Sequence, residues 1–196
     1  MMIIGLTGGI GTGKSTAAGI LRDCGLQIID ADEVYHGLLL PGSPIMEEIR
    51  RIFGAEYFEP DGRLNRRLLG AKVFADLHKL QLLESITHPA LKQEITALLS
   101  QARRTRRETV LDHPLLFEMK MESLVDEVWV VTCPRSLQVL RICQRNGLRP
   151  EEAEARINAQ LPMEMKEARA DVVINNTGTI DDLRILLEKT WKERRV

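Results

Sequence analysis

The sequence predicts an α/β fold in three layers, a five-stranded parallel sheet flanked by helices, with a helical lobe inserted into it. Three observations lead there. Five short apolar segments alternate with helical patterns along the 196 residues. The first segment runs directly into Gly8-Gly-Ile-Gly-Thr-Gly13-Lys14-Ser15 and then into an amphipathic stretch, the strand, loop and helix order of a phosphate-binding turn. Between the second and third segments lie about seventy residues of helical character, too many for a plain crossover connection.

The expected strands cover residues 2–7, 27–30, 109–112, 127–132 and 171–174. The first is a short apolar run suited to a buried parallel strand. After the glycine-rich turn, Ala17, Ala18, Ile20, Leu21 and Cys24 fall on one helical stripe, and Gly25 is a natural stop. In the inserted region, Ser43-Pro44 is an N-cap and N1 pair opening a helix with Ile45, Ile49, Ile52 and Phe53 on one face, closed by Gly54. Pro60-Asp-Gly62 turns the chain, and Asn65 starts a helix carrying Leu68, Leu69, Val73 and Phe74. A third helix is expected to open at Pro89, with Leu91, Ile95, Leu98 and Leu99. The run Arg103-Arg104-Thr-Arg106-Arg107 reads as a helix C-terminus and a solvated loop, where cations complement the dipole. Beyond the fourth strand, residues 134–145 are helical with Arg141 and Arg145 four apart, so both guanidinium groups can address one anion. Pro150 opens another amphipathic piece that Pro162 stops, and the whole stretch reads either as a lid over phosphates or as a solvated helix pair. Thr179-Ile-Asp-Asp182 resembles a capping box for a last helix whose Ile180, Leu183, Leu187 and Trp191 belong in the core.

Composition narrows the function classes. A net charge of −1 supplies no global field for nucleic acid or anionic membrane, so any anion site must be local. No stretch approaches the ~20 apolar residues of a membrane span, and the first residues form a strand without a signal-like core, so a cytoplasmic location is expected. Cys24, Cys133 and Cys143 are odd in number and lack C-x-x-C spacing, as expected of reduced packing thiols. No His or Cys pair has zinc-ligand spacing.

The local anion site is the glycine-rich turn. Its glycines allow a tight bend in which successive N–H groups converge, Lys14 reaches β- and γ-phosphates, and the Ser15 hydroxyl reaches Mg²⁺. A dinucleotide fingerprint fits worse, because Gly9-Ile-Gly11-Thr-Gly13 misses the G-x-G-x-x-G spacing. In a parallel sheet ligands gather beyond the carboxyl ends of the strands, which brings Gly8, Asp30, Asp32, Asp112, His113 and Cys133 toward one rim.

With these features the chain resembles the nucleoside monophosphate kinase branch of P-loop proteins, and within it the dephospho-coenzyme A kinases. The finer resemblance rests on residues 5–15, Ile29-Asp-Ala-Asp32 with His36, Asp61-Gly-Arg-Leu with Arg66, Val73-Phe74 and His88-Pro89. It continues through Pro114-Leu-Leu-Phe-Glu118, Gln138 to Arg141, Arg145, Arg156 with Gln160, and Ala170-Asp171 to Asn175. The family often has Asp-Arg where this chain has Asn65-Arg66.

The resemblance implies a P-loop NTPase core over residues 1–35, 105–139 and 168–196, a coenzyme A lobe over 36–104 and a lid over 140–167. It implies ATP with Mg²⁺ as phosphoryl donor and the ribose 3′-hydroxyl of dephospho-coenzyme A as acceptor. The ATP site would comprise Gly9, Ile10, Gly11, Thr12, Gly13, Lys14, Ser15 and Thr16 with Arg145 and Asn175, the latter beside the adenine. Asp32 would orient or deprotonate the acceptor hydroxyl, or else only cap the helix that begins near Glu33. Lys14 and Arg141 would stabilise the transferring charge, and Ser15 with Asp112 would serve the metal. Asp32, His36, Arg66, His88 and Leu115 would contact the acceptor. Two other classes stay open at this stage: a kinase for a nucleoside monophosphate or shikimate, and a nucleotide-dependent switch, although N-K-x-D for guanine selection is missing.

Overall fold

The computed structural model describes residues 1–195; Val196, the end of the expected third core segment, lies outside the described residues. The chain divides into two compact units, Met1–Asp30 with Leu99–Val196, and Ala31–Leu98.

The first unit is built on a parallel sheet of five strands: β1 (Ile3–Gly8), β2 (Gln27–Asp30), β3 (Thr109–Asp112), β4 (Glu127–Thr132) and β5 (Val172–Asn175). Their spatial order is β2-β3-β1-β4-β5. Every residue of β1 is buried, because the strand is central and apolar on both faces. Helix α1 (Lys14–Asp23) follows β1 directly. Its Ala17, Ala18, Ile20 and Leu21 join Ile4, Leu6, Trp129, Leu187 and Trp191 in the main core. Arg103, in the last turn of the chain's longest helix, pairs with Asp126 at 2.9 Å. Three helices lie between β4 and β5: α6 (Arg135–Asn146), α7 (Pro150–Asn158) and α8 (Met163–Glu167). The last helix, α9 (Ile180–Arg194), is capped as expected, Thr179 Oγ1 accepting from Asp182 N–H at 3.2 Å and Asp182 Oδ2 from Thr179 N–H at 2.8 Å. Ile180 is not a core residue. It is 65% exposed although it shares the face of Leu183, Leu187 and Trp191, because it is the first residue of the helix and lies at the end of the buried stripe.

The second unit is helical: α2 (Ala31–Leu38), α3 (Pro44–Phe53), α4 (Arg66–Phe74) and most of α5 (Leu77–Arg104). Its core gathers Leu39, Ile45, Met46, Ile49, Leu69 and Val73. Asn65 caps α4, its side chain accepting from Leu68 N–H at 2.9 Å. Leu68 and Phe74, expected on the apolar stripe of α4, are 47% and 79% exposed. A nine-residue helix buries only one narrow face, and Leu69 and Val73 occupy it.

The expected helix start at Pro89 is corrected by the structure. One helix of 28 residues runs through it. Proline removes one backbone donor and crowds the preceding turn, at a cost of about 3 kcal/mol. The exposed Pro89 ring lies on the solvent side, while Thr87, Leu91 and Ile95 are buried on the other, and that burial offsets the break.

Candidate active site

The sheet sets the position of the phosphate loop. β1 ends at Gly8 between β3 and β4, and the connections leave toward β2 on one side and toward β4 and β5 on the other, the switch point at which α/β sheets bind ligands. A Cβ on Gly8 would lie 2.6 Å from Val131 O, so the loop leaves the sheet through a gap only glycine fits. Gly13 ends the loop in the left-handed region at φ 94° and stands as N-cap of α1 without offering a side-chain acceptor. No acidic residue occupies the first turn of α1, so its N–H groups and positive dipole end stay available to an anion. Ser15 and Thr16 are exposed there.

Several side chains converge on this loop. Lys14 Nζ pairs with Asp112 Oδ1 at the end of β3, both side chains largely buried. Arg141 reaches back from α6, its guanidinium donating to Thr12 O at 3.3 Å and to Asn176 O at 3.2 Å. Asn176 is buried and donates from Nδ2 to Thr12 O at 2.8 Å. Ile10 N–H donates to Gln160 Oε1, in the link between α7 and α8, at 2.7 Å. The Cys133 thiol lies 3.9 Å from Gly11 O, and burial pushes its pKa up, with the Arg141 charge opposing the rise.

Beside Gly9 a cavity of about 280 Å³ is lined by Gln138, Gln160, Met163, Thr132 and Glu167. Gln138 Nε2 is buried in this wall without a hydrogen-bond partner among the described residues. A buried ion pair roots the same segment. Lys166 is fully buried, bonded through Nζ to Glu118 Oε1 at 2.9 Å and to Pro114 O at 3.0 Å. Glu118 Oε1 also accepts from Leu161 N–H at 3.3 Å, tying the expected lid to the loop after β3.

The structure thus gathers Gly9 to Thr16, Asp112 and Arg141. Arg145, one turn beyond Arg141, is exposed and bonds Asn146 Oδ1 at 3.1 Å. Asn175 is exposed at the end of β5, and its neighbour Asn176 is the asparagine that meets the loop. Leu115 is half-buried in the loop after β3. Sequence reasoning gave no role to Asn176 or Lys166, and it quoted Gln138 and Gln160 without one. A pleat's alternation from buried Ile174 was the available signal for Asn176.

The remaining candidates belong to the helical unit. Asp32, exposed, lies in the first turn of α2, two residues beyond β2 in the chain. His36 is exposed near the end of the same helix, Arg66 is exposed at the start of α4, and His88 is half-buried in α5. Tyr35 links these elements. Its hydroxyl shares a hydrogen bond with Thr87, and burial raises its pKa while Thr87 and the nearby Arg66 charge oppose the rise. A cavity of about 490 Å³ in this unit is lined by Arg63, Arg66, Asn65, Leu39 and Leu64.

A phosphate loop on the central strand of a 2-3-1-4-5 parallel sheet, with a lysine, a strand-end carboxylate and an arginine on that loop, defines a P-loop kinase. Solved shikimate kinase from Acinetobacter baumannii shares this fold at TM-score 0.55 and 18% identity, covering 98% of this chain and 92% of that one. The dephospho-CoA kinase family model matches residues 2–182, and the chain belongs to that family. Dephospho-CoA kinases of Symbiobacterium thermophilum and Carboxydothermus hydrogenoformans are 48% and 46% identical to it, over 98% and 97% of this chain and 81% and 96% of theirs. Among solved structures, dephospho-CoA kinase from Campylobacter jejuni matches at TM-score 0.77 and 29% identity, covering 97% of this chain and 96% of that one. TT1252 from Thermus thermophilus matches at TM-score 0.82 and 37% identity, covering 98% and 97%.

Proposed function

We propose that the sheet-bearing unit handles the triphosphate of ATP and that residues 36–104 form the lobe that holds dephospho-CoA. The reaction is the ATP-dependent phosphorylation of the ribose 3′-hydroxyl of dephospho-CoA, giving CoA and ADP, the last step of CoA biosynthesis. The observation that carries the assignment of the donor site is the complete phosphate loop at the end of β1, with Lys14 held on Asp112 and Arg141 on Thr12 O.

Phosphoryl transfer asks for positioning and charge stabilisation, because negative charge spreads over the three equatorial oxygens and no covalent enzyme intermediate is required. Lys14 trades its bond to Asp112 for the β- and γ-phosphates when ATP binds, which turns Asp112 from partner of a cation to candidate oxygen donor for the metal. Ser15 and Asp112 are hard oxygen donors of the kind Mg²⁺ takes alongside phosphates and water, and the described residues contain no cluster that would cage a metal by itself. When bound, the metal neutralises phosphate charge. Arg145 adds cationic charge from α6 while Arg141, one turn earlier, anchors the loop through Thr12 O, and residues 140–167 close as a lid that excludes water. Asn175 contacts the adenine.

Asp32 aligns the 3′-hydroxyl and accepts its proton, a task that suits an exposed carboxylate at a helix start. His36, His88 and Leu115 contact the coenzyme part of the acceptor, and Arg66, on the wall of the 490 Å³ cavity that Arg63 and Glu59 also line, offers a guanidinium to its diphosphate. The test is ADP release measured with dephospho-CoA, AMP and shikimate as alternative acceptors. Dephospho-CoA alone should stimulate release; stimulation by AMP or shikimate alone would overturn the reading.

A further inference from the structure

We propose that Asn176 is a positioning residue of the phosphate loop, its side-chain amide and the Arg141 guanidinium together fixing the Thr12–Gly13 peptide plane so that the Gly13 N–H faces the polyphosphate. The inference rests on the ATP site proposed above and adds to it the device that orients one of the loop's donors.

The argument starts in β5. Its pleat buries Ile174, exposes Asn175 and turns Asn176 inward, and Asn176 N–H continues the ladder by donating to Thr132 O at 2.8 Å. The side chain of Asn176 is therefore delivered to the rim at a fixed height. There its Nδ2 donates to Thr12 O, and Arg141 donates to the same carbonyl and to Asn176 O. Thr12 O thus has two donors from two different elements. In a trans peptide the carbonyl and the following N–H point in opposite directions. Holding Thr12 C=O toward Asn176 and Arg141 therefore turns Gly13 N–H away from them.

The fit is close. A Cβ on Gly13 would fall 2.1 Å from Asn176 Nδ2, so the amide packs where any other residue would carry its side chain. Glycine at this position serves two needs at once, the left-handed φ of 94° and room for Asn176. A loop whose N–H groups are set before the ligand arrives avoids the reorganisation that a mobile peptide would undergo on binding.

The experiment compares the parent with Asn176→Ala and Asn176→Asp by calorimetric binding of a non-hydrolysable ATP analogue and by the separate KM values for ATP and dephospho-CoA. Failure of the parent to bind the analogue would overturn the ATP site itself. With parent binding intact, Asn176→Ala should weaken the analogue about tenfold, from the loss of one buried donor. Asn176→Asp should weaken it further, because a carboxylate cannot donate to Thr12 O. The KM for dephospho-CoA should stay within about twofold of the parent's, a split that general loss of stability does not produce. Joint replacement with Arg141→Ala should cost more than the product of the single effects, since Thr12 O then loses both donors. An unchanged analogue affinity in Asn176→Ala, an equal rise in both KM values, or an effect confined to Asn176→Asp would each overturn the proposal; the last would mean that added charge alone matters. Should Asn176→Asp not fold, Asn176→Ala carries the comparison.

Discussion

The two units bury polar side chains very differently. Of nine such residues among the described ones, eight lie in the sheet-bearing unit (Thr7, Thr12, Thr109, Asp112, His113, Gln138, Lys166 and Asn176). The helical unit contributes one, Thr87, whose hydroxyl bonds Leu83 O one turn earlier in its own helix at 3.0 Å. Burying polar atoms is costly unless each finds a partner, so such a concentration marks where fixed dipoles are needed. Charge stabilisation during transfer is strongest from groups held rigid and away from water. Recognition of a large, flexible acceptor makes no such demand, and the proposed acceptor residues His36 and Arg66 are exposed.

The largest expected effect tests the boundary of that contrast. Asp32→Asn keeps size and removes the proposed proton acceptor, so kcat should fall about 10²–10⁴-fold with ATP affinity unchanged. A defect confined to ATP affinity would assign Asp32 to the donor side and break the division of labour. Lys14→Ala should lower kcat about 10²–10³-fold, the loss typical of one donor to developing charge. Circular dichroism should show the fold intact, and a near-parent kcat in that folded variant would remove Lys14 from the mechanism.

Stability measurements sharpen the contrast further. Lys166→Met strands Glu118, and breaking a buried ion pair costs about 3–5 kcal/mol. The lower end is expected, because the Glu118 side chain is 25% exposed and water screens it. In the lobe, Thr87→Val removes the bond to Tyr35 and should cost only about 1 kcal/mol. Urea titrations of the two variants giving equal losses would contradict the view that polar burial matters mainly in the sheet-bearing unit.

The smallest effect is in pH. Burial raises the thiols of Cys24 and Cys133, so the unfolded chain gives up these protons first as pH rises past about 8.5. The folded state then holds more protons than the unfolded state, and stability falls with rising pH through that window. The raised Tyr35 phenol adds the same trend above about 10. Urea midpoints at pH 7, 9 and 10 should decline in that order, and Cys24→Ala with Cys133→Ala should flatten the first step; a flat profile in the parent would sink this account.

The sheet was readable from its sequence because each strand is a compact apolar run closed by a turn. β2, β3 and β4 match their expected residues, and β1 and β5 differ by one residue at each end. The phosphate loop was equally legible, since every position of the motif has its own task. Elsewhere local pattern competed with tertiary packing. Pro89 carries a strong breaker signal, yet the burial that overrides it depends on residues distant in sequence. Which distant residues meet is written in no local pattern: Asn176 meets Thr12, 164 residues away, and Lys166 of α8 meets Glu118 in the loop after β3. Adjacent asparagines at a strand end look alike as text, and only the pleat decides which of them turns inward.

The short outer strands of the sheet have a consequence for behaviour at high concentration. Strands β1 and β4 are six residues long, whereas interior β3 and the two outer strands β2 and β5 are four each. An outer strand is a template on which a foreign strand can add, and its capacity grows with the number of unpaired backbone groups in a row. Four residues offer only a couple of outward-facing donors and acceptors on each flank. Val173 is exposed on β5, so the apolar half of an aggregation signal is present while the length is not. Shortening at the rims therefore protects the chain from edge-to-edge polymerisation without placing a charge or a proline in either outer strand's middle.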